Sequence, residues 1–209
     1  LHPVATWLDY KLLASFGRQR APILKVPRGV SPNQAIILVQ AQYPNKRGQT
    51  LLTRWMGITV DADGRVAPDI LTLEETLVQT GLLRNLEDGQ HAADLANDGR
   101  VPDASLWQQA LPEVIQTAKR HLQPIKQKVD EENQTRIQQE LAKLAELKEK
   151  HRNQLELDLK GGLEQVRQSR RQRRDTEIQD LFQSYQTWVR ETLELDDTPQ
   201  FTVVAALSG

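Results

Sequence analysis

The sequence predicts an α+β protein: a small antiparallel β-sheet with flanking helices and a long projecting antiparallel helical hairpin, or coiled coil. Three observations predict it. Two apolar, β-branched runs, AIILVQAQY (Ala35 to Tyr43) and TLLTRWMGITV (Thr50 to Val60), flank the turn PNKRGQ, which is the pattern of a β-hairpin. From residue 130 on, the chain is rich in Glu, Gln, Lys and Arg, with Ile137, Leu141, Leu144, Lys148, His151 and Leu155 alternating at spacings of four and three, a coiled-coil seam. The chain closes on FTVVAAL, whose β-branched apolar residues suit a terminal strand added to the sheet.

Taken in order, Val4, Trp7, Leu8, Lys11 and Leu12 predict a short amphipathic helix over residues 3–16, and PILKV after Gly17 a brief strand. In the hairpin, Ile37, Val39, Ala41 and Tyr43 share one face of the first arm, and Leu52, Met56, Ile58 and Val60 one face of the second, with Arg54 interrupting. The opposite faces mix Gln40, Gln42 and Thr53 with Ile36, Leu38 and Trp55, so both faces require cover from helices or a partner. Asp61-Ala62-Asp63-Gly64 ends the second arm with turn chemistry. Thr72 and Glu75 match a capping box ahead of Leu73, Leu77, Val78 and Leu82, a second short helix closing near Gly81. Residues 89–99 are polar and patternless, a loop. Asp103 then caps a core-facing helix in which Trp107, Leu111, Val114, Ala118, Leu122, Ile125 and Val129 recur every three or four residues; Pro112 and Pro124 either kink it or mark its restarts.

Gly161-Gly162 interrupts the coiled-coil pattern. In the second arm Ile178, Leu181, Tyr185, Trp188, Thr192 and Leu195 keep the rhythm, with Phe182, Val189 and Leu193 widening the stripe. Two similar arms about a Gly-Gly break predict an antiparallel hairpin; one continuous helix through the glycines is the alternative. Large apolar residues concentrate at 107–129 and 178–195, so the hairpin is expected to root in the body and carry a hydrophilic tip. The expected organisation is an α+β body of residues 1–128 with 198–209, and a helical insertion of residues 129–197.

The 209 residues are 38% hydrophobic and 26% charged, with a formal net charge of -1. The absence of cysteine excludes a disulfide scaffold and thiolate zinc sites, and fits a reducing compartment. No apolar run approaches the ~18 residues of a membrane span. The chain starts at Leu1 and its single methionine is Met56, so it reads as a fragment of a larger cytoplasmic protein. Its neutrality is a sum of unlike parts: residues 1–60 carry eight Lys/Arg against Asp9 alone, and residues 61–103 carry ten acids against three arginines. The two segments either pair with each other or leave the first to bind a polyanion.

Motifs for catalysis are missing: there is no phosphate-binding loop, dinucleotide fingerprint, nucleophile elbow or zinc-protease helix. His2, His91, His121 and His151 lie far apart, and the acidic pairs Glu131-Glu132 and Asp196-Asp197 lack apolar shielding. The expectation is no catalytic residue and no metal ligand. Two basic features are candidates for nucleic acid. Arg167, Arg170, Arg171, Arg173 and Arg174 fall within little more than two helical turns, a density suited to phosphate contacts. The alternative is pairing with Glu140, Glu146, Glu149 and Glu156 of the opposite arm. Lys46 and Arg47 at the hairpin tip, with Lys25, Arg28, Arg18 and Arg20, form a basic patch if they share one face. Tyr43 and Trp55 serve either as base-stacking rings or as core.

The order of parts, a helix opening on LHPVATWLDYKLL, the hairpin SPNQAIILVQAQYPNKRGQTLLTRWMGITVDADGR and the closing DLFQSYQTWVRETLELDDTPQFTVVAAL, resembles the C-terminal region of RapA-family bacterial ATPases. These are the RNA-polymerase-associated members of the Swi/Snf superfamily. RQRAPILK and GQTLLTRWMGITV look closer to longer bacterial helicase-like proteins. The resemblance implies that the ATP-binding, DNA-translocating lobes lie upstream of Leu1, that ATP and magnesium belong to that motor, and that this fragment is non-catalytic with no cofactor of its own. It implies a regulatory or docking domain whose partners are the motor lobes, RNA polymerase or another protein complex, or DNA, with no membrane. A direct nucleic-acid-binding module and a coiled-coil dimerisation protein are the competing expectations.

Overall fold

Five strands, β1 (Ile23–Lys25), β2 (Ala35–Pro44), β3 (Thr50–Val60), β4 (Val66–Thr72) and β5 (Gln200–Ser208), form one mostly antiparallel sheet in the order β1-β5-β2-β3-β4. With helices α1 (Leu73–Thr80), α2 (Ser105–Asp158) and α3 (Glu164–Leu193) they make the expected α+β fold. The computed structural model describes residues 21–26, 28–83, 103–158 and 164–209, with backbone alone at 155–158, 164–167 and 170. The expected helix over residues 3–16, Arg18, Arg20, the loop at 89–99 and the Gly161-Gly162 break lie outside the described residues.

The chain forms two compact units, one of Leu1–Gln42, Leu52–Pro124 and Pro199–Gly209, the other of Tyr43–Leu51 and Ile125–Thr198. In the first, the closing strand takes an interior place. β5 pairs antiparallel with β2 (Ile36 opposite Leu207, Ile37 opposite Ala206) and parallel with β1 (Ile23 opposite Ala206), with a bulge at Leu38/Val39. Ala35 through Ala41 are all buried, so β2 is covered on both faces, as its mixed apolar pattern required.

One cover is α1. Thr72 accepts from the Glu75 amide while the Glu75 carboxylate accepts from the Thr72 amide, the expected capping box, and Gly81 ends the helix in the left-handed conformation at φ 77°. The buried face differs from the expected one: Thr76 and Thr80 are fully buried, whereas Val78 is 50% exposed. Each threonine hydroxyl donates to the carbonyl four residues back, Thr76 to Thr72 at 2.8 Å and Thr80 to Thr76 at 2.7 Å. With the hydroxyl satisfied within the helix, only the methyl has to be accommodated by the core. Helix and sheet approach closely at Gly57, where any added Cβ would stand 2.2 Å from the Thr76 Oγ1 and 3.1 Å from the Ile36 Cγ2.

The other cover is the first part of α2. Trp107, Ala110, Val114, Ala118 and Leu122 are buried at helical spacing, and the Trp107 Nε1 donates to the Asn33 carbonyl at 3.4 Å. Asp103 accepts from the Ser105 amide at 3.0 Å, the expected cap. The helix runs on through Pro112 and Pro124 as one element, without restarting at either. An interior proline costs about 3 kcal/mol, and the buried stripe on both sides of Pro112 offsets it at roughly 1.5–3 kcal/mol per fully buried large side chain. Strand β4 went unanticipated; Pro68 and Asp69 break its pattern, and both are tolerated because β4 is an edge strand.

In the second unit α2 and α3 lie side by side and antiparallel. Lys126 of α2 bonds Asp197 just past α3, and Glu140, Lys143, Leu144 and Leu147 share a cleft with Leu181, Phe182 and Tyr185, so residue numbers fall along one helix as they rise along the other. Ile137, Leu144, Phe182 and Val189 are buried, with Leu195 beyond the helix end. The α2 seam is therefore the expected one through Leu144, but the α3 seam needs correction. Leu181, Tyr185 and Trp188, expected to face the partner helix, are 68%, 42% and 45% exposed. The buried line is Phe182 and Val189, one residue on. None of the described helices is long and apolar enough to cross a membrane.

Candidate functional site

Two groups of side chains in the second unit bear on function. The first surrounds the β2–β3 turn. Asn45 is 2% exposed and fully engaged: its Oδ1 accepts from the Arg47 and Gln49 amides at 3.0 and 2.8 Å, and its Nδ2 donates to the Gln49 Oε1 at 3.2 Å and the Thr192 carbonyl at 2.8 Å. A turn tied this way holds the two following cations against the C-terminal end of α3. Lys46 Nζ bonds the Glu194 Oε2 at 2.5 Å, and Arg47 Nη1 stands 3.9 Å from the Glu191 Oε2. The hydrogen bond to Glu194, reinforced by its charge, holds the Lys46 ammonium above the usual lysine range. Lys126 is held above that range too, first by its hydrogen bond to Asp130 at 2.9 Å, with Asp197 on its other side at 3.0 Å. Tyr43 is 3% exposed and burial pushes its phenol up, so it is core and no base-stacking platform. Trp55 is half-buried.

The arginine run lies on α3. Arg171, Arg173 and Arg174 are exposed, and Arg173 Nε stands 3.5 Å from the Glu177 Oε1 one turn on. Arg167 and Arg170 are helical in backbone, and their side chains lie outside the described residues. Of the four acids expected to face the run, Glu140 bonds Lys143 at 2.8 Å and Glu149 stands 3.9 Å from Arg152, both within α2, and the Glu156 side chain lies outside the described residues. Lys25 and Arg28 belong to the other unit, where Lys25 is exposed and Arg28 Nη2 donates to the Val78 carbonyl at 3.4 Å. Among the described residues no group of three or more His, Asp or Glu side chains is placed to hold a metal ion.

The second group is apolar. A cleft of about 390 Å³ lies between α2 and α3. Leu144 and Phe182, each 8% exposed, form its floor, while Leu147 at 51% and Leu181 at 68% stand up from it. Tyr185 lines it and stacks on Trp188, the ring centroids 5.4 Å apart. These exposed large apolar groups, with the cleft between them, make this face the candidate contact surface of the second unit. Sequence reasoning missed the cleft because it assigned Leu181, Tyr185 and Trp188 to the inner seam. Leu147 carried the available signal: a large apolar residue three past Leu144 that the seam does not use. Comparison with protein families, curated sequences and solved structures returns no match to this chain.

Proposed function

We propose that this chain is a non-catalytic docking module, whose α2–α3 pair presents the Leu147, Leu181, Tyr185 and Trp188 surface to a protein. One observation carries the reading: these four side chains are exposed on a helical pair whose own interface is filled by Leu144, Phe182 and Val189. Water on such a surface is released when it is covered, at about 25 cal/mol per Å². Lys46 and Arg47 face carboxylates, which counts against a nucleic-acid groove at the turn. The wider assignment, an accessory domain of a RapA-like Swi/Snf-type ATP-dependent DNA translocase, rests on the sequence resemblance.

An environment-sensitive apolar dye tests the docking surface. Its fluorescence should rise with the unchanged chain and fall to background with Leu181→Ser/Trp188→Ser, at unchanged helical ellipticity. Equal dye binding by both proteins contradicts the reading. The accessory-domain assignment predicts no magnesium-dependent ATP hydrolysis by the 209 residues alone, and measurable turnover overturns it.

A further inference from the structure

Resting on that docking surface, we propose that its occupant is a second copy of this chain, joined through the α2–α3 pair into an antiparallel four-helix arrangement. The shape of the surface calls for helices. Leu181, Tyr185 and Trp188 repeat at spacings of four and three, the row of knobs that the holes of a facing helix receive. α3 thus carries two adjacent seams, one satisfied by α2 and one open, as a helix inside a bundle of more than two helices does.

The charges beside the open seam choose between a foreign helix and a second copy. On α2, Arg136, Lys143 and Lys150 are exposed and fall at seven-residue intervals along one edge, with Lys143 lining the cleft. On α3, Glu177 and Asp180 are exposed and lie one turn or less from Leu181. Glu140 and Arg173 bond Lys143 and Glu177 from within their own helices at 2.8 and 3.5 Å, exposed pairs that contribute little on their own. The surface therefore has a basic edge on α2, with Glu140 set inside it, and on α3 an acidic stretch at Glu177 and Asp180 that follows the exposed Arg171, Arg173 and Arg174. A two-fold axis running along the helices sets α2 of one copy beside α3 of the other. The basic edge then meets the acidic stretch twice, every neighbouring pair of helices is antiparallel, and the same patch serves both copies, as an isologous interface requires. The other two-fold, across the helices, sets like charges together.

The test is sedimentation velocity on the 209-residue chain over a dilution series up to about 100 µM, with two charge-reversed variants. One carries Arg136→Glu, Lys143→Glu and Lys150→Glu; the other carries Glu177→Lys and Asp180→Lys. The unchanged chain should sediment with twice its own mass and dissociate on dilution. Each variant alone should raise the dissociation constant at least about tenfold, because like edges then face each other. An equimolar mixture of the two should restore a dimer containing one of each. A monomeric unchanged chain overturns the proposal, as do variants that self-associate like the parent or a mixture that forms no mixed dimer. The apolar dye separates this failure from failure of the docking reading. A monomer that binds dye through Leu181 and Trp188 leaves the docking surface standing and removes the second copy; a monomer that binds none removes both.

Discussion

Asn45 and Thr192, 147 residues apart in the sequence, are joined by a 2.8 Å hydrogen bond from the Asn45 Nδ2 to the Thr192 carbonyl. That carbonyl belongs to the last turn of α3, where no amide four residues on completes a helical bond. The side chain thus closes the helix end and the β2–β3 turn together, since its oxygen also holds the Arg47 and Gln49 amides. Asn45→Ala removes these four hydrogen bonds, at about 0.5–1.5 kcal/mol for each bond lost. Urea unfolding should show a loss of at least about 2 kcal/mol. A loss below about 0.5 kcal/mol, the range of an ordinary surface substitution, contradicts this role.

Gly57 is set by its close approach to α1. Gly57→Ala drives a methyl to within 2.2 Å of the Thr76 Oγ1 and should cost about 1–3 kcal/mol, the usual range for an overpacked core. Combining it with Thr76→Ala, which removes that oxygen, should recover part of the loss in a double-mutant cycle. Strict additivity of the two losses would show that this approach is not the cause.

The capping box makes a prediction about pH. Hydrogen bonds from the Thr72 amide and hydroxyl hold the Glu75 carboxyl below its ordinary value of 4.5. A carboxyl depressed by folding adds stability that is present above that ordinary value and is lost as pH falls through the depressed one. Thr72→Ala should lower stability by about 1 kcal/mol at neutral pH. The Thr72 amide bond survives in the alanine variant, so the part of the difference that comes from the hydroxyl bond to the carboxylate should fade on acidification below pH 4.5, as seen in thermal unfolding at a series of pH values. A difference that stays constant to low pH contradicts the assignment.

If docking to protein is the role of the α2–α3 pair, the arginine run contributes little to binding DNA. Titration of labelled duplex at several salt concentrations should give the same slope of log affinity against log salt for the unchanged chain and for Arg171→Glu/Arg173→Glu/Arg174→Glu. A slope shallower by about 0.9 for each phosphate that the variant no longer neutralises would restore the nucleic-acid reading.

The legible parts of this sequence were those in which local chemistry and long-range packing agree. β2, β3 and β5 followed from their β-branched runs, α1 from Thr72 and Glu75, and the first part of α2 from the Trp107 to Leu122 spacing. β4 was hidden because an edge strand accepts Pro68 and Asp69 and needs no alternation. Asn45 reads locally as a turn residue; its partner Thr192 lies on a distant helix, and no spacing rule connects them. The α3 seam failed for a different reason. Leu181, Tyr185 and Trp188 keep a heptad rhythm, and Phe182 and Val189 keep the same period one residue on. Both are genuine apolar stripes, and periodicity alone does not say which one α2 covers.

That one-residue register separates an inner seam from an open docking surface, and unfolding of two neighbouring variants tests it. Both are measured by urea at concentrations low enough to remove any contribution from association. Phe182→Ala should cost about 3–5 kcal/mol, as truncation of a buried phenylalanine does, and Leu181→Ala should fall within about 0.5 kcal/mol of the unchanged chain. Equal losses, or the larger loss at Leu181, would put Leu181 in the helical interface and leave no open surface to dock a partner.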